Sequence, residues 1–256
     1  MVSTDRRMPW VIRIAALGLR PALVAISARH WSGQENLPSQ GGAIVIGNHT
    51  SAFDPLAYGH LLVDSGIPPR FLAKDSLFSI PVLGTLLRRT GQIPVSRGRG
   101  RSQDALAAAE SALCAGQVLT VYPEGTYTRD PGLWPMRART GAARLALRTG
   151  APLIPIACWG SHKVNPTRTC KLHLRPRGGI QIIVGPAIVA TQRPHEDEYQ
   201  AARRITDEAM NAVTAMLAQL RSQTPPDTVY DGRRDAHRPE VGRRLRRGLV
   251  RRRNKA

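Results

Sequence analysis

Short apolar runs that each end in a polar turn are the feature that most constrains the fold of this chain. The first run, residues 43–47, is rich in β-branched side chains and flanked by glycines, a pattern typical of a buried strand. Further runs that read as strands follow at residues 91–97, 118–122, 152–157 and 179–186. A helical pattern with apolar side chains at three- and four-residue steps covers residues 195–221 and predicts a core-packed helix. A chain of 256 residues therefore fits one large α/β domain.

Polar residues just past the first strand form a candidate catalytic pair. His49 and Asp54 follow the strand at its carboxyl end, where open α/β sheets place their ligand sites. An imidazole with a carboxylate five residues later is a general base with an orienting partner. A second interpretation is structural: Asp54 precedes Pro55 and can cap a helix that has proline at its first position.

Four blocks in a fixed order carry a resemblance to a known family. They are Asn48-His49 with Asp54, Gly91-x-Ile93-x-Val95-x-Arg97, Tyr122-Pro123-Glu124-Gly125-Thr126, and the strand at 152–157. Their order and separation resemble the glycerolipid acyltransferase family, in particular its bacterial 1-acyl-glycerol-3-phosphate acyltransferases. The resemblance covers residues 35–190. It implies a single α/β domain with a mixed central sheet flanked by helices.

The resemblance also implies a reaction. An acyl chain would pass from a thioester, on coenzyme A or acyl carrier protein, to the free hydroxyl of 1-acyl-glycerol-3-phosphate, giving phosphatidic acid. Glycerol-3-phosphate or another lysolipid stays open as the acceptor. His49 would take the hydroxyl proton, and Asp54 would hold the imidazole. No cofactor or metal ion is implied, and Ser51 is disfavoured as a nucleophile because nothing assigns it a base.

Substrate-binding residues follow from the other blocks. Arg97 would grip two oxygens of the acceptor phosphate, and Lys74 is a weaker phosphate candidate. In the turn after the third strand, Gly125 would let the backbone approach a ligand, and Thr126 would donate a hydrogen bond. Glu124 would orient either the acceptor or Arg97. The same turn residues also suit an ordinary turn, which is the structural interpretation of this block.

Two positions depart from the family pattern. Tyr122 replaces the usual phenylalanine, a harmless exchange at a strand end. Tyr127 stands where the family usually has arginine, so another residue would have to supply one phosphate contact. Arg129, or Arg137 together with Arg139, could supply the missing charge, and the sequence does not decide between them.

The charge of +19 points to an anionic partner, which could be nucleic acid, an anionic membrane surface or a phosphorylated substrate. Eleven of the basic residues, against two acids, lie in residues 233–256. A non-catalytic basic protein that binds nucleic acid or anionic lipid is the alternative of another class. It is disfavoured because no helix-turn-helix, zinc-finger or RNA-binding aromatic signature occurs. Three cysteines without close pairing indicate a reducing compartment and no zinc site.

The amino-terminal segment predicts a helix at a membrane interface. Residues 8–31 are mostly apolar, but Arg13 and Arg20 interrupt them, so neither a spanning helix nor a signal peptide fits. Arginines seven residues apart would form one polar stripe beside an apolar body. Pro21 is a point where this helix could break in two. The alternative is a helix packed on the core of the domain.

These patterns divide the chain into three parts. Residues 1–31 are expected to form a membrane-interface helical segment, residues 32–222 the acyltransferase domain, and residues 223–256 a basic flexible tail. The expected location is the cytoplasmic face of the cell membrane, in peripheral or monotopic association.

Overall fold

A seven-stranded mixed sheet lies at the centre of the computed structural model, which describes residues 8–95, 102–166, 172–174, 179–232 and 234–235. The strands are β1 Arg29–Ser32, β2 Ala43–Gly47, β3 Arg70–Lys74, β4 Ile93–Val95, β5 Val118–Val121, β6 Leu153–Trp159 and β7 Ile180–Val184. They lie side by side in the order β1-β7-β6-β2-β5-β3-β4. Strands β6, β2, β5, β3 and β4 run parallel, whereas β7 is antiparallel to β6. The predicted mixed α/β sheet is confirmed.

Helices cover both faces of this sheet. They are α1 Trp10–Ile26, α2 Asp54–Asp64, α3 Leu83–Arg89, α4 Ser102–Cys114, α5 Gly141–Thr149, α6 Ser161–Val164 and α7 Glu198–Arg221. Val45 of β2 packs in the cluster that includes α2, while Ile44 and Ile46 pack in the cluster that includes α4, α5 and α7. Strand β2 is therefore buried on both faces, which explains its unbroken apolar sequence.

The strands at 43–47, 93–95, 118–121 and 180–184 fall in the apolar runs that predict them, and the strand at 153–159 begins in the run at 152–157 and extends two residues beyond it. Strands β1 and β3 lack such a run. Strand β1 lies at one edge of the sheet and is largely exposed, and β3 has a charged residue at each end. Because an edge strand is paired on one side only, it does not require a continuous apolar sequence.

The amino-terminal helix α1 is continuous from Trp10 to Ile26, with Pro21 inside it. Pro21 therefore does not break the helix. The helix ends at Ile26, and β1 begins at Arg29. Residues 29–31 of the predicted amino-terminal segment thus belong to the sheet. Arg20 forms an ion pair with Asp64 of α2 (Nε–Oδ1, 3.0 Å), so one side of α1 lies against the domain.

The other side of α1 is apolar and exposed. The helix buries Ile12 and Leu23, but Trp10 is 67% exposed and Leu17 is 76% exposed. Ile14, Leu19 and Val24 are also exposed. None of the helices within the described ranges is long and apolar enough to cross a bilayer.

Part of the predicted tail lies on the domain. Tyr230 forms a bridge with Met136, and its carbonyl accepts a hydrogen bond from the N–H of Arg137 at 2.9 Å. The Arg137 guanidinium pairs with Asp231 at 3.4 Å. The predicted flexible tail therefore contacts the domain at its beginning, and residues 236–256 lie outside the described ranges.

Gly47, the last residue of β2, provides a test of this packing. A Cβ atom there would lie 2.1 Å from the Tyr58 hydroxyl and 2.8 Å from the Ile156 carbonyl oxygen. We expect Gly47→Ala to lower the free energy of unfolding by about 1–3 kcal/mol, the usual cost of overpacking a core. Gly141→Ala is the control, since no atom lies within 4 Å of a Cβ there. Equal urea midpoints for the two variants would contradict the prediction.

Candidate active site

The carboxyl ends of four neighbouring parallel strands meet at one edge of the sheet, and candidate site residues lie there. His49 follows β2, Glu124 follows β5, Lys74 ends β3, and Ser161 follows β6. Ligand sites of open α/β sheets lie at this edge. Arg97, the predicted phosphate ligand two residues after β4, is outside the described residues.

His49 and Asp54 are in direct contact. The distance between His49 Nδ1 and Asp54 Oδ2 is 2.9 Å. Because a carboxylate oxygen accepts, in the neutral imidazole this contact places the hydrogen on Nδ1 and the lone pair on Nε2. The Asp54 side chain is fully buried, whereas 13% of the His49 side chain is exposed. The imidazole can therefore accept a proton at Nε2 while Asp54 holds its other nitrogen.

The Asp54 carboxylate has three further donors. Its Oδ2 accepts from the backbone N–H groups of Thr50 at 2.6 Å and Ser51 at 2.8 Å, and its Oδ1 accepts from the Ser161 hydroxyl. The N-cap residue of α2 is Phe53, and Asp54 is the first residue of the helix with its side chain turned back toward the preceding loop. The helix-capping interpretation is therefore wrong, because the carboxylate serves the loop that carries His49.

Ser161 is a site residue that sequence reasoning missed. It begins the short helix α6, is fully buried, and lies 107 residues from Asp54 along the chain. Its hydroxyl also lies 3.3 Å from the Thr50 hydroxyl. Its one sequence signal is its position directly after a strand of the parallel block, since such positions meet at the site edge.

The hydroxyl of Ser51, which is disfavoured as a nucleophile, makes hydrogen bonds that stabilise the structure. Its hydroxyl donates to the Asn165 carbonyl at 2.7 Å and accepts from the N–H of Phe53 at 3.0 Å. The side chain is buried. These two bonds hold the loop between β2 and α2, and they direct the hydroxyl into the protein.

Asn48 joins the end of β2 to β6. Its amide nitrogen donates to the Cys158 carbonyl at 2.9 Å, and its amide oxygen accepts from the N–H of Cys158 at 2.8 Å. The side chain thus continues the hydrogen-bond ladder one residue beyond the strand. The position of the neighbouring His49 is consequently fixed by the core of the sheet.

Two tyrosines pack on the His49 ring. Tyr122 stacks on it with a centroid distance of 4.0 Å and an interplanar angle of 11°, and Tyr127 lies at 4.4 Å. Burial raises the pKa of Tyr122 well above its ordinary value. Its hydroxyl has no hydrogen-bond partner in the described part of the chain. The ring is therefore the part of Tyr122 that supports the site, and a phenylalanine would supply the same surface.

Glu124 holds the backbone of His49 from the opposite side. One carboxylate oxygen accepts from the N–H of His49 at 3.2 Å, and the other accepts from the N–H of Met136 at 2.9 Å. Burial raises the pKa of Glu124 to about 8, although these two bonds act to lower it. The geometry therefore favours a role for Glu124 in positioning the loop that carries His49. The sequence had instead suggested that Glu124 orients the acceptor or Arg97.

Gly125 and Thr126 complete the turn after β5. Gly125 adopts φ of 71°, which is a backbone conformation suited to glycine. A Cβ atom at this position would lie 3.4 Å from Arg139 Nε, so the Arg139 side chain lies against the turn. Arg137 instead pairs with Asp231. Of these two candidates for the missing family charge, Arg139 is the one beside the turn.

Arg129 and Lys74 complete the set of candidate phosphate ligands. Arg129 lies against Gly232, at the beginning of the predicted tail. Lys74 is exposed at the end of β3, two strands from β2, which corresponds to about 10 Å. Among the residues that the structure describes, no group of three His, Cys, Asp or Glu side chains could hold a metal ion.

The raised pKa of Glu124 predicts how the unfolding free energy of the protein depends on pH. Between its ordinary value of 4.5 and about 8, the folded protein retains a proton that the unfolded chain releases, so stability falls as pH rises. Glu124→Gln cannot titrate, so its unfolding free energy should decline less over this range. The variant should also be less stable overall, because an amide NH₂ then faces one of the two backbone N–H groups.

Urea unfolding of wild type and Glu124→Gln across this pH range measures the effect. Glu35→Gln, at an exposed position, is the matched control for loss of one carboxyl group. A decline as steep in Glu124→Gln as in wild type would show that another group titrates.

Known proteins share this architecture. The structure of the 1-acyl-sn-glycerophosphate acyltransferase from Thermotoga maritima superposes with a TM-score of 0.64 and 20% identity, covering 85% of this chain and 82% of that chain. At this identity the match establishes the fold: an α/β fold with helices flanking the central sheet.

Curated relatives are more similar in sequence. The chloroplastic 1-acyl-sn-glycerol-3-phosphate acyltransferase of Brassica napus is 31% identical over 187 residues, covering 72% of this chain and 49% of the relative. The 1-acyl-sn-glycerol-3-phosphate acyltransferase of Borreliella burgdorferi is 33% identical over 135 residues, covering 51% of each protein. The chain thus spans about half the length of these relatives. The acyltransferase family model matches residues 29–159, from β1 to the end of β6. On this match, which includes the His49–Asp54 pair and the turn at Glu124, the chain belongs to the acyltransferase family.

Proposed function

We propose that the protein transfers an acyl chain from an acyl thioester to the free hydroxyl of 1-acyl-glycerol-3-phosphate and so forms phosphatidic acid. The observation that carries the proposal is the His49–Asp54 pair, in which Asp54 occupies Nδ1 and leaves Nε2 able to accept a proton. The printed names of the Brassica napus and Borreliella burgdorferi relatives support the choice of acceptor.

In this reaction, His49 Nε2 takes the proton of the acceptor hydroxyl while that oxygen attacks the thioester carbonyl. The tetrahedral intermediate then breaks the carbon–sulfur bond, and the imidazolium returns its proton to the leaving thiolate. Asp54 stabilises the imidazolium between the two steps, since its carboxylate contacts Nδ1. No covalent enzyme intermediate is needed, because the acceptor hydroxyl is the nucleophile.

The acceptor phosphate requires cationic partners near this base. Arg139 lies against Gly125, one residue after the Glu124 side chain that holds the His49 backbone. A guanidinium at this point could bind two phosphate oxygens. Arg97 and Lys74 are further ligands in this proposal, and the Thr126 hydroxyl is a donor to the acceptor.

The protein is proposed to work at the cytoplasmic face of a membrane, because acceptor and product are lipids. The exposed apolar side of α1, with Trp10 and Leu17, supports a position in the lipid interface. The net charge of +19 supports attraction to an anionic surface. The thioester carrier, coenzyme A or acyl carrier protein, is part of what the product assay must decide.

Mass spectrometry of products tests the proposed reaction directly. The acceptors are 1-acyl-glycerol-3-phosphate, other lysolipids and glycerol-3-phosphate, each offered with acyl-CoA and with acyl carrier protein. We expect phosphatidic acid from 1-acyl-glycerol-3-phosphate. Salt-sensitive DNA binding without acyl transfer to any acceptor would instead support the basic binding protein.

The first variant removes the base. His49→Ala should lower turnover by about 10²–10⁴-fold, the usual contribution of a positioned base. The unfolding free energy should also fall, by about 1–3 kcal/mol, because the buried Asp54 carboxylate loses one of its donors, while the fold is retained. His30→Ala is the matched control, because His30 is exposed on the edge strand β1. Initial rates with saturating donor measure the effect, and wild-type turnover by His49→Ala would refute the mechanism.

A pair of arginine variants tests the phosphate site. Arg139→Ala should raise the acceptor KM about tenfold or more, consistent with loss of a charged hydrogen bond of about 1.5–3 kcal/mol. Arg137→Ala should leave it nearly unchanged, since Arg137 pairs with Asp231. Steady-state kinetics in both substrates separates the roles. A raised donor KM with an unchanged acceptor KM would assign Arg139 to the carrier.

A further inference from the structure

The connection between β3 and β4 is a compact pair of short helices. Residues 75–79 form a 3₁₀ turn directly after Lys74, and α3 follows at Leu83–Arg89. We call residues 75–89 the crossover hairpin. Because β3 runs parallel to β2 and ends at Lys74, the crossover hairpin begins at the same edge of the sheet as the candidate active site.

Large apolar side chains of the crossover hairpin face solvent. Val82 is 83% exposed, more than the other large apolar residues that the structure describes as exposed. The remaining exposed apolar members are Leu77, Ile80, Leu83 and Leu86. Single exposed apolar residues are common, but a group of five within ten positions marks an interaction surface.

The backbone holds these side chains outward. The N–H of Leu83 donates to the Pro81 carbonyl at 2.7 Å, and Val82 between them has φ of 65° and ψ of −58°. This is a γ-turn with positive φ, which is rare and strained, and it is costly for a β-branched residue. Such strain persists only where the surrounding structure imposes it, and it is concentrated at functional sites.

The rest of the crossover hairpin imposes that conformation. Gly84 packs so closely that a Cβ there would lie 2.1 Å from the Phe78 carbonyl oxygen. The N–H of Gly84 donates to the Ile80 carbonyl at 2.8 Å, and Arg88 donates to the Phe78 carbonyl at 2.8 Å. The apolar tip is therefore a built feature of the fold.

Charge identifies the occupant of this surface. Lys74 lies at the base of the crossover hairpin, and Arg88 and Arg89 are exposed at the end of α3, against a single acid, Asp75. Apolar side chains beside basic residues match a bilayer with anionic headgroups, because the headgroups attract the basic residues and the acyl chains accept the apolar ones.

We infer that the crossover hairpin docks on an anionic bilayer, inserting Ile80, Val82 and Leu83 below the headgroups. This surface is separate from α1. Docking here brings the strand edge with His49 to the membrane surface. The purpose of docking, delivery of a lipid acceptor, rests on the proposed function, but the docking itself is measured without any turnover.

Vesicle sedimentation tests the inference with full-length protein. The vesicles contain phosphatidylglycerol and phosphatidylcholine, and Val82→Asp should reduce the bound-to-free ratio by about tenfold or more, since an apolar anchor is lost and a like charge is added. Val82→Gly is the second variant. It relieves the positive φ, so it should fold at least as stably as wild type and still bind vesicles more weakly.

Val189→Asp is the matched control. Val189 is 70% exposed. It follows Ile188, which pairs with Leu153 at the amino-terminal end of β6, opposite the strand ends that carry the candidate active site. The Val189→Asp variant should bind vesicles as tightly as the wild-type protein. Wild-type binding by both Val82 variants, or an equal loss in Val189→Asp, overturns the inference. The inference is also overturned if the wild-type protein self-associates in analytical centrifugation and Val82→Asp abolishes this self-association. The patch would then bind a second copy of the chain.

The docking inference and the proposed function can fail separately. Weaker vesicle binding by the Val82 variants, with turnover of detergent-dispersed lysolipid unchanged, supports docking. If wild type forms no phosphatidic acid in any assay but the Val82 variants still lose vesicle binding, the docking inference stands and the proposed function falls. If phosphatidic acid forms and vesicle binding is unaffected by the Val82 variants, the docking inference falls alone.

Discussion

The buried Asp54 carboxylate is the interaction on which the candidate site depends. Its two oxygens accept from the His49 ring, from two backbone N–H groups and from the Ser161 hydroxyl, so it joins β2, α2 and the segment after β6. A carboxylate in this position would be costly to bury without these donors. The orientation of the His49 ring is thus secured by the same bonds that make the burial of Asp54 tolerable.

Two carboxyl groups together hold three consecutive backbone N–H groups. Glu124 accepts from the N–H of His49, and Asp54 accepts from those of Thr50 and Ser51. The two N–H groups of Thr50 and Ser51 converge on one Asp54 oxygen, and successive N–H groups that converge in this way form an anion-binding concavity. The backbone N–H groups at and directly after His49 are therefore both held, which limits how far the imidazole can move.

Strand positions that depend on local sequence patterns could be predicted, whereas side-chain roles that depend on contacts between distant residues could not. The apolar runs located β2, β5 and β6 because buried parallel strands need such residues, while the edge strand β1 does not. The possible break at Pro21 does not occur, and contacts of Arg20 with Asp64 and burial of Leu23 hold α1 on the domain on both sides of the proline. The position of Ser161 after a parallel strand is a weak signal, since its role depends on a residue 107 positions earlier. The choice of Arg139 over Arg137 likewise required the positions of Gly125 and Asp231.

The strand order has a consequence for how the protein folds. Central strand β2 pairs with β5 and β6, whose residues lie far along the chain, and the His49–Glu124 bond spans 75 positions. Such non-local pairing is slow, because closing long loops costs entropy before the contacts form. During synthesis, β2 leaves the ribosome well before its neighbours and exposes a fully apolar strand. A newly made chain therefore passes through a period in which chaperone binding at residues 43–47 would compete with aggregation.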